Sequence, residues 1–224
     1  MKLPFARVRF VGNQVLFEFG VCRCGILFVD RLVLELIWRV LKVYQDVMIA
    51  GFGGQGVLLA GKLLAYAGML EGKHVTWFPS YGAEIRGGTA NCTVIISSDE
   101  IGSPVVQSPS AMMIFNDASF KKFEQRIKAG GLLFLNTSLV QEPSNRSDIT
   151  RIEVKANDIA EVLGDTRILN MVMLGAFLKK TSVVALASVI SALKEVLPAR
   201  RHSLIHLNES ALKRGAEVCC DMAP

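Results

Sequence analysis

The sequence predicts an α/β protein: a Rossmann-like sheet of mainly parallel strands flanked by helices, followed by a helical C-terminal part. Three observations carry that expectation. From Gln45 onward, short apolar runs alternate with longer segments of helical spacing. The first run ends in Gly51-Phe52-Gly53-Gly54-Gln55-Gly56, where Gly51, Gly53 and Gly56 satisfy G-x-G-x-x-G at a strand-to-helix junction. Apolar residues make up 51% of the 224 residues and charged ones 20%, a composition that buries a core without staples.

The elements follow in order. Asp46 to Ala50 is a short apolar strand of the interior parallel kind, and Val57 to Leu70 a helix whose Leu58, Gly61, Leu64, Ala65 and Gly68 face inward. Gly72 stops that helix. His74 to Phe78 is a second strand and Thr89 to Ile96 a third. Ala111 to Phe115 forms a fourth, leading through Asp117 as N-cap into a helix that ends at Gly130-Gly131. Leu132 to Leu135 is the fifth strand and Arg151 to Val154 an edge strand. Helices then occupy 158–163, 168–179, 183–196 and 204–218, separated by Gly164, Thr181-Ser182 and Pro198.

The first 43 residues stand apart. They make a poor signal or transit peptide, carry one strand-like run at Val15 to Phe19, and show helical spacing from Asp30 to Val43. A domain over 44–219 is complete without them, so they read as an extension, one account of which is a translation start chosen too far upstream. They also hold most of the formal net charge of +5. The body beyond them is nearly neutral, which removes the main support for a nucleic-acid partner. No apolar run approaches the ~18 residues that cross a bilayer, so a membrane is not expected and the cytoplasm is the expected location. Cys22, Cys24, Cys92, Cys219 and Cys220 form no C-x-x-C pair, and with His74, His202 and His206 they give no metal-ligand spacing. No metal is expected on this chain.

The glycine turn permits close backbone approach, and the helix after it offers unpaired N–H groups to an anion. Dinucleotide binding needs an acid at the end of the second strand, yet Trp77-Phe78-Pro79-Ser80 stands there and Glu71 lies before the strand, at the wrong edge. The turn then either packs helix on strand or contacts an anion or a protein. A second turn, Pro79 to Gly88, leaves the second strand, expected beside the first, so that both turns line one crevice. Its Tyr81, Glu84 and Arg86 supply a phenol, a carboxylate and a guanidinium; Arg86 either pairs with Glu84 or clamps a carboxylate or phosphate. No catalytic residue is assigned.

Ile49 to Gly56, followed by Ser80-Tyr81-Gly82-x-Glu84-x-Arg86-Gly87-Gly88, resembles the gamma subunit of 2-oxoacid:ferredoxin oxidoreductases, the group acting on pyruvate, 2-ketoisovalerate, 2-oxoglutarate and indolepyruvate. The likeness continues through Thr89 to Cys92, Gly102-Ser103-Pro104 and His202 to Arg214, covering Gln45 to Gly215. Ala83 departs from a position often held by proline, and the first 43 residues have no counterpart. The resemblance implies CoA-dependent oxidative decarboxylation of a 2-oxoacid to acyl-CoA and CO2, with electrons to ferredoxin. It implies alpha, beta and in some assemblies delta subunits that hold thiamine diphosphate, magnesium and iron–sulfur clusters. This chain would be inactive alone, with Gly51, Gly53, Gly54, Gln55, Gly56, Tyr81, Glu84 and Arg86 facing coenzyme A or a subunit. The alternative is a free-standing NAD(P)-dependent oxidoreductase.

Overall fold

A computed structural model describes residues 6–11, 14–19, 43–81, 89–142 and 144–218. The chain divides into two units, Met1–Lys42 and Val43–Pro224. In the first, β1 (Ala6–Val11) and β2 (Gln14–Phe19) pair antiparallel from Ala6↔Phe19 to Val11↔Gln14, so the strand-like run at Val15 to Phe19 is a strand. The helix expected over Asp30 to Val43 lies almost wholly outside the described residues.

The second unit is built on a six-stranded mixed sheet. In chain order its elements are β3 (Tyr44–Phe52), α1 (Val57–Leu70), β4 (His74–Tyr81), β5 (Thr89–Ser97), β6 (Ala111–Ile114), α2 (Asp117–Phe123), β7 (Leu132–Asn136) and β8 (Thr150–Val154). Then come α3 (Ala156–Val162), α4 (Leu169–Thr181), α5 (Leu186–Val196) and α6 (Ile205–Val218). The strand order is β4-β5-β3-β6-β7-β8. Strands β3, β6, β7 and β8 run parallel, whereas β5 is antiparallel to both β3 and β4. The fold class matches the sequence expectation of a mainly parallel sheet with flanking helices.

Burial on both faces explains the continuous apolar runs of β3, β6 and β7. Val47 and Ile49 face one core with Met113, Phe134 and the residues of α1, α4 and α5. Met48 and Ala50 face a second, smaller core with Met112, Ile114, Leu133, Leu135 and Phe120 and Phe123 of α2. Helix α1 is buried on most of its circumference, so Val57, Ala60, Leu63 and Ala67 join the inward residues expected from its spacing, while Leu58 is only partly buried.

Three local expectations change. Asn116, not Asp117, caps α2, its side chain accepting a bond from Ser119 N at 2.8 Å. That helix ends at Phe123 and passes into a 3-10 turn at Glu124–Arg126 instead of running to Gly130. The last helix starts at Ile205, after a 3-10 stretch over Ala199–Leu204 that holds His202.

Candidate functional site at the glycine turn

Strand β3 runs past Ala50 and carries Gly51 as its penultimate residue. A Cβ at Gly51 would lie 2.7 Å from Gln55 Oε1 and 2.9 Å from Phe115 Cβ, so no side chain fits. The reason is the fold-back of Gln55. Its N–H donates to Phe52 O at 3.2 Å, and its Oε1 accepts from Phe52 N at 2.7 Å and from Asn116 Nδ2 at 2.9 Å. Gln55 therefore closes the turn on itself and ties it to β6. Its amide is engaged by the protein, which leaves the backbone as the part of the turn open to a ligand.

A relay of carboxamides continues along the same edge of the sheet. Asn136, fully buried at the end of β7, donates to Phe115 O at 3.3 Å and to Asn157 Oδ1 at 2.8 Å, and accepts from Ala156 N at 3.2 Å. The carboxyl ends of β3, β6 and β7 and the start of α3 are thus joined by side-chain amides, each matched in donors and acceptors.

Gly56 is the N-cap of α1, at φ 74°, a left-handed conformation that favours glycine. Among the described residues no side chain caps this helix, and no acid lies in its first turn. No described residue therefore engages the leading N–H groups of this 14-residue helix through a cap, and the positive end of the helix dipole lies behind them. Asn170, on α4, holds the turn from the other side by donating to Gly56 O at 3.1 Å.

The second turn emerges at the same edge: Phe52 of β3 pairs with Thr89, and Tyr81 of β4 with Ala90. The two parent strands are not neighbours, however, because β5 lies between them. Two strand spacings, roughly 10 Å, separate the ends of β3 and β4. Tyr81 is the last residue of β4; Glu84 and Arg86 lie outside the described residues. Glu71 sits at the opposite edge, where its carboxylate binds Lys73 Nζ at 2.8 Å and Ala185 N at 2.7 Å.

The other candidates resolve as structural. Cys92 is buried against Val57 O, and burial pushes its thiol up to about 12, leaving it protonated and inert. His202 Nε2 bonds Leu197 O at 3.0 Å, and among the described residues no three His, Cys, Asp or Glu side chains cluster in a metal-binding arrangement. The residues that sequence reasoning missed are Asn116, Asn136, Asn170 and Asn208. Asn170 alone leaves a sequence signal, a lone amide inside the apolar run Leu169-Asn170-Met171-Val172, where burial of a polar side chain demands a specific partner.

A model of the pyruvate ferredoxin/flavodoxin oxidoreductase family matches residues 46–218, the whole of the sheet and its helices. The chain belongs to that family. Its relatives place it among the gamma-type subunits. It is 35% identical to the 2-oxoglutarate synthase subunit KorC of Methanothermobacter thermautotrophicus over 70% of this chain and 87% of the relative. It is 42% identical to the ketoisovalerate oxidoreductase subunit VorA of Methanothermobacter marburgensis, but spans only 27% of that protein. Among solved structures, the gamma subunit of a keto/oxoacid ferredoxin oxidoreductase from Geobacter sulfurreducens superposes with TM-score 0.68 at 27% identity, covering 79% of this chain and 99% of that one. The pyruvate oxidoreductase subunit PORC of Thermotoga maritima gives 0.62 at 26% identity, covering 78% and 96%. Family membership and the proline-serine end of β4 together set aside a free-standing NAD(P)-dependent oxidoreductase.

Proposed function

We propose that the chain serves as the gamma subunit of a cytoplasmic 2-oxoacid:ferredoxin oxidoreductase, in which alpha, beta and in some assemblies delta subunits carry out CoA-dependent oxidative decarboxylation and pass electrons to ferredoxin. Thiamine diphosphate, magnesium and the iron–sulfur clusters belong to those partners. The described residues of this chain do not fit such groups, since Cys92 is sealed in the core and no acidic or histidine cluster faces the glycine turn. No helix among the described residues is long and apolar enough to cross a membrane.

The observation that carries the reading is the uncapped first turn of α1, set at the carboxyl edge of a sheet whose sequence matches the family from end to end. Coenzyme A brings phosphates, and free N–H groups at a helix start, approached over Gly53 and Gly54, suit them. Arg86, on the connection that leaves β4 at the same edge, would add a cation, with Tyr81 and Glu84 beside it in sequence. The role of the chain is to bind and orient; the redox chemistry lies elsewhere in the assembly.

Two measurements test this. Purified alone, the chain should not reduce a viologen with a 2-oxoacid, and it should restore that activity when mixed with the partner subunits; turnover without partners would refute the assignment. In the assembled enzyme, Arg86→Ala should raise the apparent KM for coenzyme A by about tenfold, the loss of one charged contact, while that for the 2-oxoacid stays within twofold or so. Equal changes in both, or none, would remove Arg86 from the site.

A further inference from the structure

On the side of the glycine turn that faces α4 and α6 lies an open cleft of ≈ 170 Å³, lined by Gly54 and Gly56, by Leu59 and Leu204, and by Asn170, Asn208 and Arg201. Asn170 is 2% exposed and Asn208 7% exposed, and each is anchored through its nitrogen: Asn170 Nδ2 to Gly56 O, Asn208 Nδ2 to Leu204 O at 2.7 Å. Neither Oδ1 accepts a bond from any described residue, and neither is sealed from the cleft. Arg201 is exposed, and its guanidinium bonds no described residue. Arg167 on the rim is neutralised by Asp165, whose carboxyl the guanidinium beside it holds below the usual range.

Two buried acceptors, one cation and an apolar lining define what fills the cleft. Its volume is below the ~300 Å³ at which pockets begin to enclose cofactor-sized ligands. A phosphate satisfies Arg201 but, with no backbone donors to offer, sets its oxygens against the two amide oxygens, which is repulsive. An extended polypeptide matches every group at once: backbone N–H donors for the two Oδ1 atoms, an acidic side chain for Arg201, and an apolar side chain against Leu59 and Leu204. We propose that this cleft receives an acidic, extended segment of a partner subunit, so that docking grips the back of the same glycine turn whose helix start faces the ligand.

The inference rests on the gamma-subunit reading and is tested on the full chain with its partner subunits. Arg201→Glu should weaken assembly by roughly tenfold or more in a salt-dependent manner, and Arg201→Lys should stay within about threefold of the native chain. Neither should shift the melting temperature of the free chain, since the Arg201 guanidinium bonds no described residue. Hydrogen–deuterium exchange should show segments 54–59 and 197–208 protected on assembly, and no protection of 197–208 in the free chain by millimolar inorganic phosphate. Unchanged assembly of Arg201→Glu, unprotected segments in the complex, or protection of 197–208 by phosphate alone would each overturn the docking proposal. Failure of the native chain to assemble at all would overturn the gamma-subunit reading with it.

Discussion

The two edges of the central sheet handle polar groups in opposite ways. At the amino edge the polar groups around the start of β3 and the end of α1 bond one another. Asp46, 5% exposed at the start of β3, accepts from Ser110 N and Ser110 Oγ, and Gln45 Nε2 donates to Ser110 Oγ at 2.8 Å. Glu71 and Lys73 bridge the end of α1 to the start of α5, Glu71 through Ala185 N and Lys73 through Val183 O. At the carboxyl edge the amides of Gln55, Asn116 and Asn136 are equally satisfied, yet they build a frame around groups that are not: the uncapped N–H groups of α1 and the Oδ1 atoms of Asn170 and Asn208. Unmet donors and acceptors beside a rigid frame mark a surface meant to be completed by something else. The amino edge is a closure; the carboxyl edge is a half-site.

Breaking the frame should cost more than breaking the closure. Gly51→Val places a branched side chain where a Cβ alone already meets Gln55 Oε1, Phe115 Cβ and Val57 Cγ2 within 2.9 Å. A loss of about 3 kcal/mol is expected, read as a lower denaturation midpoint, with the turn disordered in the surviving fold. Gln55→Ala is milder. It leaves Phe52 N and Asn116 Nδ2 without their acceptor, a cost of about 2 kcal/mol. Because Asn116 also caps α2, exchange of amides in the first turn of α2 should quicken together with that of Phe52; if only Phe52 responds, the relay is not a coupled unit.

The same contrast separates what was legible in the sequence from what was not. Strand β3, the glycine turn and α1 were readable because each is local: an apolar run, a backbone need for glycine, a helical period. The reversed direction of β5 was missed although a signal existed, since 82–88 is shorter than the dozen or so residues a parallel crossover requires. An apolar run alone says nothing of strand direction. The meeting of Asn170 and Asn208 in one cleft was beyond reach for a different reason. The bond of Asn170 to Gly56 and the cleft it shares with Asn208 are made by the packing of α4 and α6 beside a turn more than a hundred positions earlier, and no local pattern encodes that. Gln55 was placed in the site for its motif and proves to be bound within its own turn, a distinction only geometry supplies.

At the amino edge the smallest effect should appear, and it should depend on pH in a defined direction. Burial pushes the Glu71 carboxyl up, but the hydrogen bonds from Lys73, Ser188 and Ala185 N outweigh it and hold the folded pKa below the ordinary 4.5. A group whose folded pKa is depressed stabilises the fold fully above its unfolded value, and loses that contribution as pH falls through the folded one. Glu71→Gln keeps the side-chain oxygen for Ala185 N but gives up the charge facing Lys73, so it should cost about 1 kcal/mol or less at neutral pH. That deficit should shrink as pH drops below 4.5 and vanish below the depressed folded value, where the native carboxylate is itself protonated. Melting curves of the two proteins at neutral pH and in acid decide it: curves that converge in acid identify a charge-based closure, whereas a constant gap would mean that shape rather than charge holds the amino edge, and the contrast between the two edges would lose its electrostatic half.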